Sequence, residues 1–271
     1  MVVASLLFAI MNVIVKYLDH VPVAQIVFMR SSVMMVMVAS LLIKKRIKPL
    51  GTKRRLLVLR GLFGTVGIAF FFYTLHHMPL ASAVVVHYLT PIFTALLAFL
   101  LVKERLKPIQ LVFFALCFAG ILVIKGFDAR VDGLVLSIGV LGTIGAASAY
   151  NIISMLKDSE HHLVIMFYFP LVTIPLVLIY IAITGDWSWV GYKDWLLLIT
   201  IGVLTYAAQY FLTRSYQDGQ VNKVSIVSYL GIVYAIVFGY FIFNESYNWQ
   251  ASLGVAMVVS GVMLNVWFKR K

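Results

Sequence analysis

Long apolar runs separated by brief polar turns fill almost all of the 271-residue chain. They predict ten helical spans at about 2–18, 22–43, 56–75, 80–102, 108–125, 133–156, 163–184, 194–216, 221–243 and 249–268. Most approach the roughly 20 residues that cross a bilayer core. Pro22, Pro79, Pro108, Gly126, Gly133, Gly185 and Gly191 punctuate the joints. Pro170 and Pro175 predict a kink in span 7. No stretch has the make-up of a soluble domain or a disordered tail. The first run begins at Val2 without a basic leader, so it reads as the first span rather than a cleaved signal.

The pattern also repeats. Residues 80–124 hold two apolar runs joined by the turn Lys103-Glu104-Arg105-Leu106-Lys107-Pro108, and residues 221–265 repeat that design without a gap. The register pairs Tyr88-Leu89 with Tyr229-Leu230, Glu104 with Glu245, Gly120 with Gly261, Gly61 with Gly202 and Phe70 with Phe211. Such matches are the trace of an old internal duplication. They divide the chain at about residue 125 into repeats 1–125 and 126–271. Five spans per repeat is an odd number, so the two halves enter the membrane from opposite sides. The expected fold class is therefore an all-α polytopic membrane protein of ten transmembrane helices in two inverted five-helix repeats.

Composition agrees: 62% of residues are hydrophobic, 12% are charged and the mean hydropathy is +1.00. A soluble domain of this length would show far more charge. The net charge of +12 does not point to nucleic acid, because the basic residues crowd into short loops. Lys44, Lys45, Arg46, Lys48, Lys53, Arg54 and Arg55 lie between spans 2 and 3, Lys103, Arg105 and Lys107 between spans 4 and 5, and the chain ends Lys269-Arg270-Lys271. By the positive-inside rule both termini face the cytoplasm, in the plasma (inner) membrane. Cys117, the single cysteine, excludes a disulfide framework and a thiolate metal site. No cofactor or metal is expected.

With these features in view, the chain resembles the drug/metabolite transporter superfamily, of the EamA-like ten-helix type. The resemblance rests on the duplication, Thr90-Pro91 within a long fourth span, the Lys103-Glu104-Arg105-Leu106 turn and its echo Asn244-Glu245-Ser246. Gly120, Gly261 and Arg30 belong to it as well, and it covers nearly the whole chain. Ile232 departs from the repeat, standing where the first half has Pro91. The resemblance implies a central cavity formed mainly by helices 1, 3, 4, 6, 8 and 9.

Polar side chains at membrane depth cost at least roughly 2.5 kcal/mol near a helix centre, so they face a cavity or a partner. Asn12 and Lys16 share one face of span 1; Lys16 either enters the cavity or snorkels to the headgroups. Arg30 lies too deep in span 2 to snorkel and is either a gate residue or a structural arginine, whereas Arg60 at the start of span 3 is expected to snorkel. His87, Thr90 and Thr94 share a face of span 4 behind Pro91, and His87 is the proton-linked candidate. Tyr88 and Tyr229 occupy equivalent repeat positions, and Tyr150 and Asn151 of span 6 reach toward the centre. In span 8, Tyr206, Gln209 and Thr213 fall on one face and Arg214 lies near its end; Gln209 is the leading candidate for a substrate hydrogen bond. Glu104 and Glu245 end spans 4 and 9 and are expected to hold turns and gate contacts.

No carboxylate lies deep in a span, and the intramembrane charges are basic. That favours a substrate with a carboxylate or phosphate over a bare cation. The expected function is a secondary transporter, an exporter of a small polar or amphipathic metabolite such as an amino acid or organic anion. It would work by alternating access, driven by protons or by the substrate gradient. The alternatives are a multidrug or organic-cation exporter and a lipid-translocating protein. An intramembrane enzyme would need a paired acid/base or metal set, and the pairs His76-His77 and His161-His162 sit in loops without carboxylates at ligand spacing. The expected partners are a small-molecule substrate and the lipid bilayer. Monomer and homodimer both fit the sequence.

Overall fold

The apolar runs become helices almost where the pattern places them. The computed structural model describes the backbone of residues 1–102, 108–128, 130–156, 158–218, 230–246 and 248–269. Within these it describes the side chains outside 98–99, 101–102, 125–127, 213, 216–218, 265–266 and 269. The elements are α1 (Val2–Tyr17), α2 (Val23–Lys44), α3 (Arg54–His77), α4 (Leu80–His87), α5 (Thr90–Val102) and α6 (Pro108–Phe127). They continue with α7 (Gly133–Leu156), α8 (His162–Thr184), α9 (Tyr192–Asp218), α10 (Leu230–Phe243) and α11 (Trp249–Lys269). Prolines start helices here as their missing N–H allows: Pro22 and Pro79 precede α2 and α4, and Pro108 opens α6. Gly185 closes α8 in a left-handed conformation (φ 68°), its N–H donating to the Ile181 carbonyl at 2.8 Å. α8 runs through Pro170 and Pro175 as one helix.

The fourth span is not continuous, as the sequence reading had it, but two helices broken at Tyr88-Leu89. Pro91 has no N–H to give the His87 carbonyl and disfavours helical backbone in the residue before it. The Thr90 hydroxyl donates to that orphaned His87 carbonyl, and the Thr94 hydroxyl donates to the Thr90 carbonyl at 2.7 Å. Both threonines thus repair the backbone.

Large apolar side chains cover the outside. Ile43, Val36, Leu122, Ile183 and Phe241 are among those well exposed on the helix faces. In water this surface would drive association; in a bilayer it meets solvent of its own kind. Six helical stretches are long and apolar enough to cross a membrane, and α1, α6, α10 and α11 supply four shorter apolar ones. The protein is an integral membrane protein.

The packing carries the inverted repeat. Counting span 4 as α4 with α5, each span in the first half corresponds to the span five places on. Span 3 packs on span 6 (α3 on α7), and span 8 packs on span 1 (α9 on α1). Span 2 packs on span 8 (α2 on α9), and span 7 on span 3 (α8 on α3). Spans 2 and 7, 4 and 9, and 5 and 10 pack on their own counterparts. Glycines mark the same relation. Gly61 lies against Val172 and its repeat mate Gly202 against Val33. In the α6–α11 pair, a Cβ on Gly120 would sit 2.7 Å from the Gly254 carbonyl oxygen and 2.9 Å from Val258. One on Gly261 would sit 2.9 Å from the Phe113 carbonyl oxygen and 2.6 Å from Cys117 Sγ. Phe113 and Cys117 are the repeat mates of Gly254 and Val258, so the contact maps onto itself. Such small-residue contacts let membrane helices approach closely.

Candidate functional site

Alternate connections gather at opposite ends of the bundle. One end, here the far end, collects 18–22, 77–80, 128, 130–132, 185–191 and 244–246. The other, the basic end, carries the 45–53 loop, with Met1 bonded to Ser215 Oγ at 3.0 Å.

The far end is sealed by matched polar groups. Lys16, near the end of α1, donates to the Met78 carbonyl at 2.8 Å and the Leu75 carbonyl at 3.4 Å, and pairs with Glu245 Oε1 at 3.2 Å. Its ammonium has three donors, and these three acceptors account for them. Glu245 is buried and receives the Leu80 N–H on both oxygens at 2.9 Å. It therefore caps the first turn of α4 from another helix pair, where the N–H groups have no helical partner. Nearby, Gln25 of α2 donates to the Ser188 carbonyl and accepts the Ser188 N–H, both at 3.0 Å. His20 faces Asp194 at 3.3 Å, and Arg130, paired with Asp128, reaches the Ser246 carbonyl at 2.8 Å.

Between the two ends the core holds two cations of a different kind. Arg30 is 2% exposed and Arg60 5% exposed. Arg60 does not snorkel, contrary to the sequence reading: its side chain turns inward over Gly64, and its guanidinium carbon lies 4.5 Å from the centre of the Phe169 ring. A Cβ at residue 64 would meet that ring at 2.9 Å and Arg60 Nη1 at 3.1 Å, so the glycine supplies the room. Arg30 approaches the same ring at 5.2 Å and Phe72 at 5.8 Å. Its Nε donates to Thr205 Oγ1 at 3.0 Å, and that hydroxyl lies 3.1 Å from Met11 Sδ. Tyr150 of α7 lies within electrostatic reach of both guanidinium groups. Arg30 Nη1, Arg60 Nε and Arg60 Nη1 are buried without a hydrogen-bond partner. The apolar core is split at this level: Phe72 belongs to one cluster and Phe169 to the other, with Arg30 touching both. Arg60 is six residues, or about 9 Å, into α3 from the basic end, and Arg30 is seven residues, or about 10.5 Å, into α2 from the far end, so the two side chains converge in the interior between the ends of the bundle.

The remaining candidates are dispersed. Asn12 is buried with its Oδ1 unpartnered. Asn151 spends its amide on the Thr94 and Ala147 carbonyls, both at 3.1 Å, and so ties α7 to α5. His87 stacks on Phe71 with centroids 4.2 Å apart. The Tyr88 hydroxyl fills the space beside Gly231 of α10, and Pro91 sits at the start of α5. Tyr206 packs with the cluster around Phe169, and Gln209 is half-buried one helical turn beyond Thr205. Arg214 is exposed and donates to the Tyr210 hydroxyl at 3.3 Å. Tyr229 and Glu104 lie outside the described residues, as do the side chain of Thr213 and the turn around Glu104. Sequence reasoning missed Arg60, Phe169 and Thr205 as one layer. The available signal was Gly64, one turn after Arg60, which leaves the space a folded-back arginine needs.

Comparison with known proteins decides the family. The EamA-like transporter family matches residues 1–126 and 133–267. The chain belongs to the EamA-like transporter family. This EamA-like chain is 28% identical over 250 residues to the pseudopaline exporter CntI of Pseudomonas aeruginosa, covering 90% of this chain and 86% of the relative. It is 25% identical over 288 residues to human solute carrier family 35 member G1, covering 98% and 78%. An uncharacterized transporter of Helicobacter pylori is 29% identical over 277 residues, covering 96% and 91%. A protein of known crystal structure superposes with a TM-score of 0.65 at 20% identity, covering 98% of this chain and 97% of that one, and so shares the fold. The protein is a membrane transporter, and its substrate is a small molecule.

Proposed function

We propose that this EamA-like protein is a secondary transporter that exports a small polar or amphipathic metabolite, an amino acid or an organic anion, by alternating access. The observation that carries the proposal is the asymmetry of the bundle. Lys16, Glu245, Gln25 and Asp194 close the far end, while the inner layer keeps hydrogen-bonding capacity unused. The two repeats, 1–125 and 126–271, supply the matched halves that exchange inward-open and outward-open forms. The broken fourth span offers a joint for that motion at Tyr88-Leu89. The basic end faces the cytoplasm of a plasma-membrane protein with both termini inside, following the positive-inside rule. Export accords with the resemblance to the Pseudomonas pseudopaline exporter. Transport is driven by protons, with His87 as the titrating candidate, or by the substrate gradient.

The test is counterflow into proteoliposomes across labelled amino acids, organic anions and organic cations. Saturable uptake stimulated by unlabelled solute on the opposite side is the expected result. Non-saturating flux would mean a pore, and saturable exchange restricted to organic cations would favour the multidrug reading.

A further inference from the structure

Two arginines in one buried layer raise a question of charge. Nine of the ten acidic residues are among the described residues, and all nine lie in loops or at helix ends. None of the ion pairs among the described residues involves Arg30 or Arg60. Each arginine is effectively always charged, and an isolated buried charge is expensive unless paired and hydrogen-bonded. The aromatic ring they share satisfies only part of this. A ring attracts the cation through its face, whereas the guanidinium N–H groups point outward in the guanidinium plane. Three of those nitrogens are buried and unbonded. No backbone carbonyl takes them, which is what a purely structural arginine between helices would show.

We propose that Arg30 and Arg60 form the binding site for a small organic dianion, a dicarboxylate in which each carboxylate meets one guanidinium and a short apolar spine lies beside Phe169. The proposal rests on the transporter reading and names its substrate class. Charge sets the valency: two uncompensated cations are neutralised by a ligand of charge −2. Geometry sets the shape. The arginines come from different helices, α2 and α3, and meet at one phenyl ring, so the surface between the charges is apolar and suits methylene groups. Planar guanidinium groups suit carboxylates, which they bind through paired N–H donors. Thr205 already holds Arg30 by its Nε at 3.0 Å, leaving Nη1 for ligand.

The test uses the purified full chain in detergent, with succinate and glutarate as probes. Butyrate, inorganic phosphate and tetraphenylphosphonium serve as controls. A ligand of the folded state raises the melting temperature in a saturable way. Succinate or glutarate is expected to bind about ten- to hundredfold more tightly than butyrate, since one charged contact is lost in the monoacid. Arg30→Met and Arg60→Met are expected to abolish that binding while melting no lower than wild type without ligand, because each removes an uncompensated charge. Arg30→Lys and Arg60→Lys keep the charge but lose the fork, and are expected to weaken binding without changing the fold. Several results would overturn the proposal: no dicarboxylate binding, equal binding of butyrate or phosphate, binding kept in the Met variants, or Met variants that melt lower or do not fold.

Counterflow separates this from the transporter reading. Saturable exchange of neutral or cationic solutes without dicarboxylate binding removes the arginine site and leaves transport. Dicarboxylate binding without exchange of any solute keeps the site and removes transport.

Discussion

The far end and the inner layer of this protein both hold positive charge within the bundle, partly buried at Lys16 and fully buried at Arg30 and Arg60, and they treat it in opposite ways. At the far end Lys16 finds a carboxylate and two carbonyls within 3.4 Å, and Glu245 in turn takes the free N–H of α4 on both oxygens. In the inner layer Arg30 has one hydroxyl for its Nε and Arg60 has a phenyl ring, and three buried nitrogens have nothing. A compensated charge fastens elements together. An uncompensated one, buried more deeply than Lys16, is a cost that natural folds keep where a ligand relieves it. The contrast separates residues that close the bundle from residues available to a substrate, although both groups look alike as polar letters in apolar runs.

The contrast can be broken most severely at Glu245. Glu245→Ala leaves the partly buried Lys16 without its anion and the start of α4 uncapped. It is expected to destabilise the fold by about 3–5 kcal/mol, read as a large fall in melting temperature, and to make the far end accessible to a membrane-impermeant thiol reagent at an introduced cysteine. In the inner layer, Gly64→Val drives a side chain into the Phe169 ring and Arg60. A loss of about 1–3 kcal/mol is expected, with transport falling further than stability. Thr205→Val removes the acceptor of Arg30 Nε at almost constant shape and is expected to cost about 1–3 kcal/mol. A gain in stability there would show that Arg30 is held by something else.

The smallest effect tests charge outside the membrane. Burial raises the pKa of Glu160, but the Thr52 hydroxyl and the Lys53 and Thr52 N–H groups outweigh it and hold the carboxyl below its ordinary value. A carboxylate with a lowered folded pKa adds stability that is full above its unfolded pKa. That stability is lost as pH falls through the folded value. Melting temperature is therefore expected to drop slightly below the ordinary carboxylate range, and the drop should shrink in Glu160→Gln.

Much of this was readable one residue at a time. Boundaries of the spans followed from runs of apolar letters because the bilayer imposes one length scale on every helix. The register that pairs Gly120 with Gly261 and Gly61 with Gly202 reappeared as symmetric close contacts, since a small residue matters wherever two backbones approach. Glu245 was expected to hold a turn, and the structure places it at the start of α4. The break at Pro91 was visible as a weakened helix but not as two separate helices, because whether a proline bends or splits a span depends on what accepts the freed carbonyl.

By itself, then, the sequence determined the fold class and the transporter family, both of which rest on patterns repeated over many residues. Tertiary structure alone decided which polar residues meet. Lys16 and Glu245 are far apart in the chain, as are Arg30 and Thr205, and no local pattern encodes their approach. Arg60 shows the physical reason. Its position near a basic loop suggested a side chain reaching for headgroups, but the space over Gly64 and the face of Phe169 turn it inward. A long flexible side chain takes its direction from the packing around it, and that packing comes from helices brought together only by the fold.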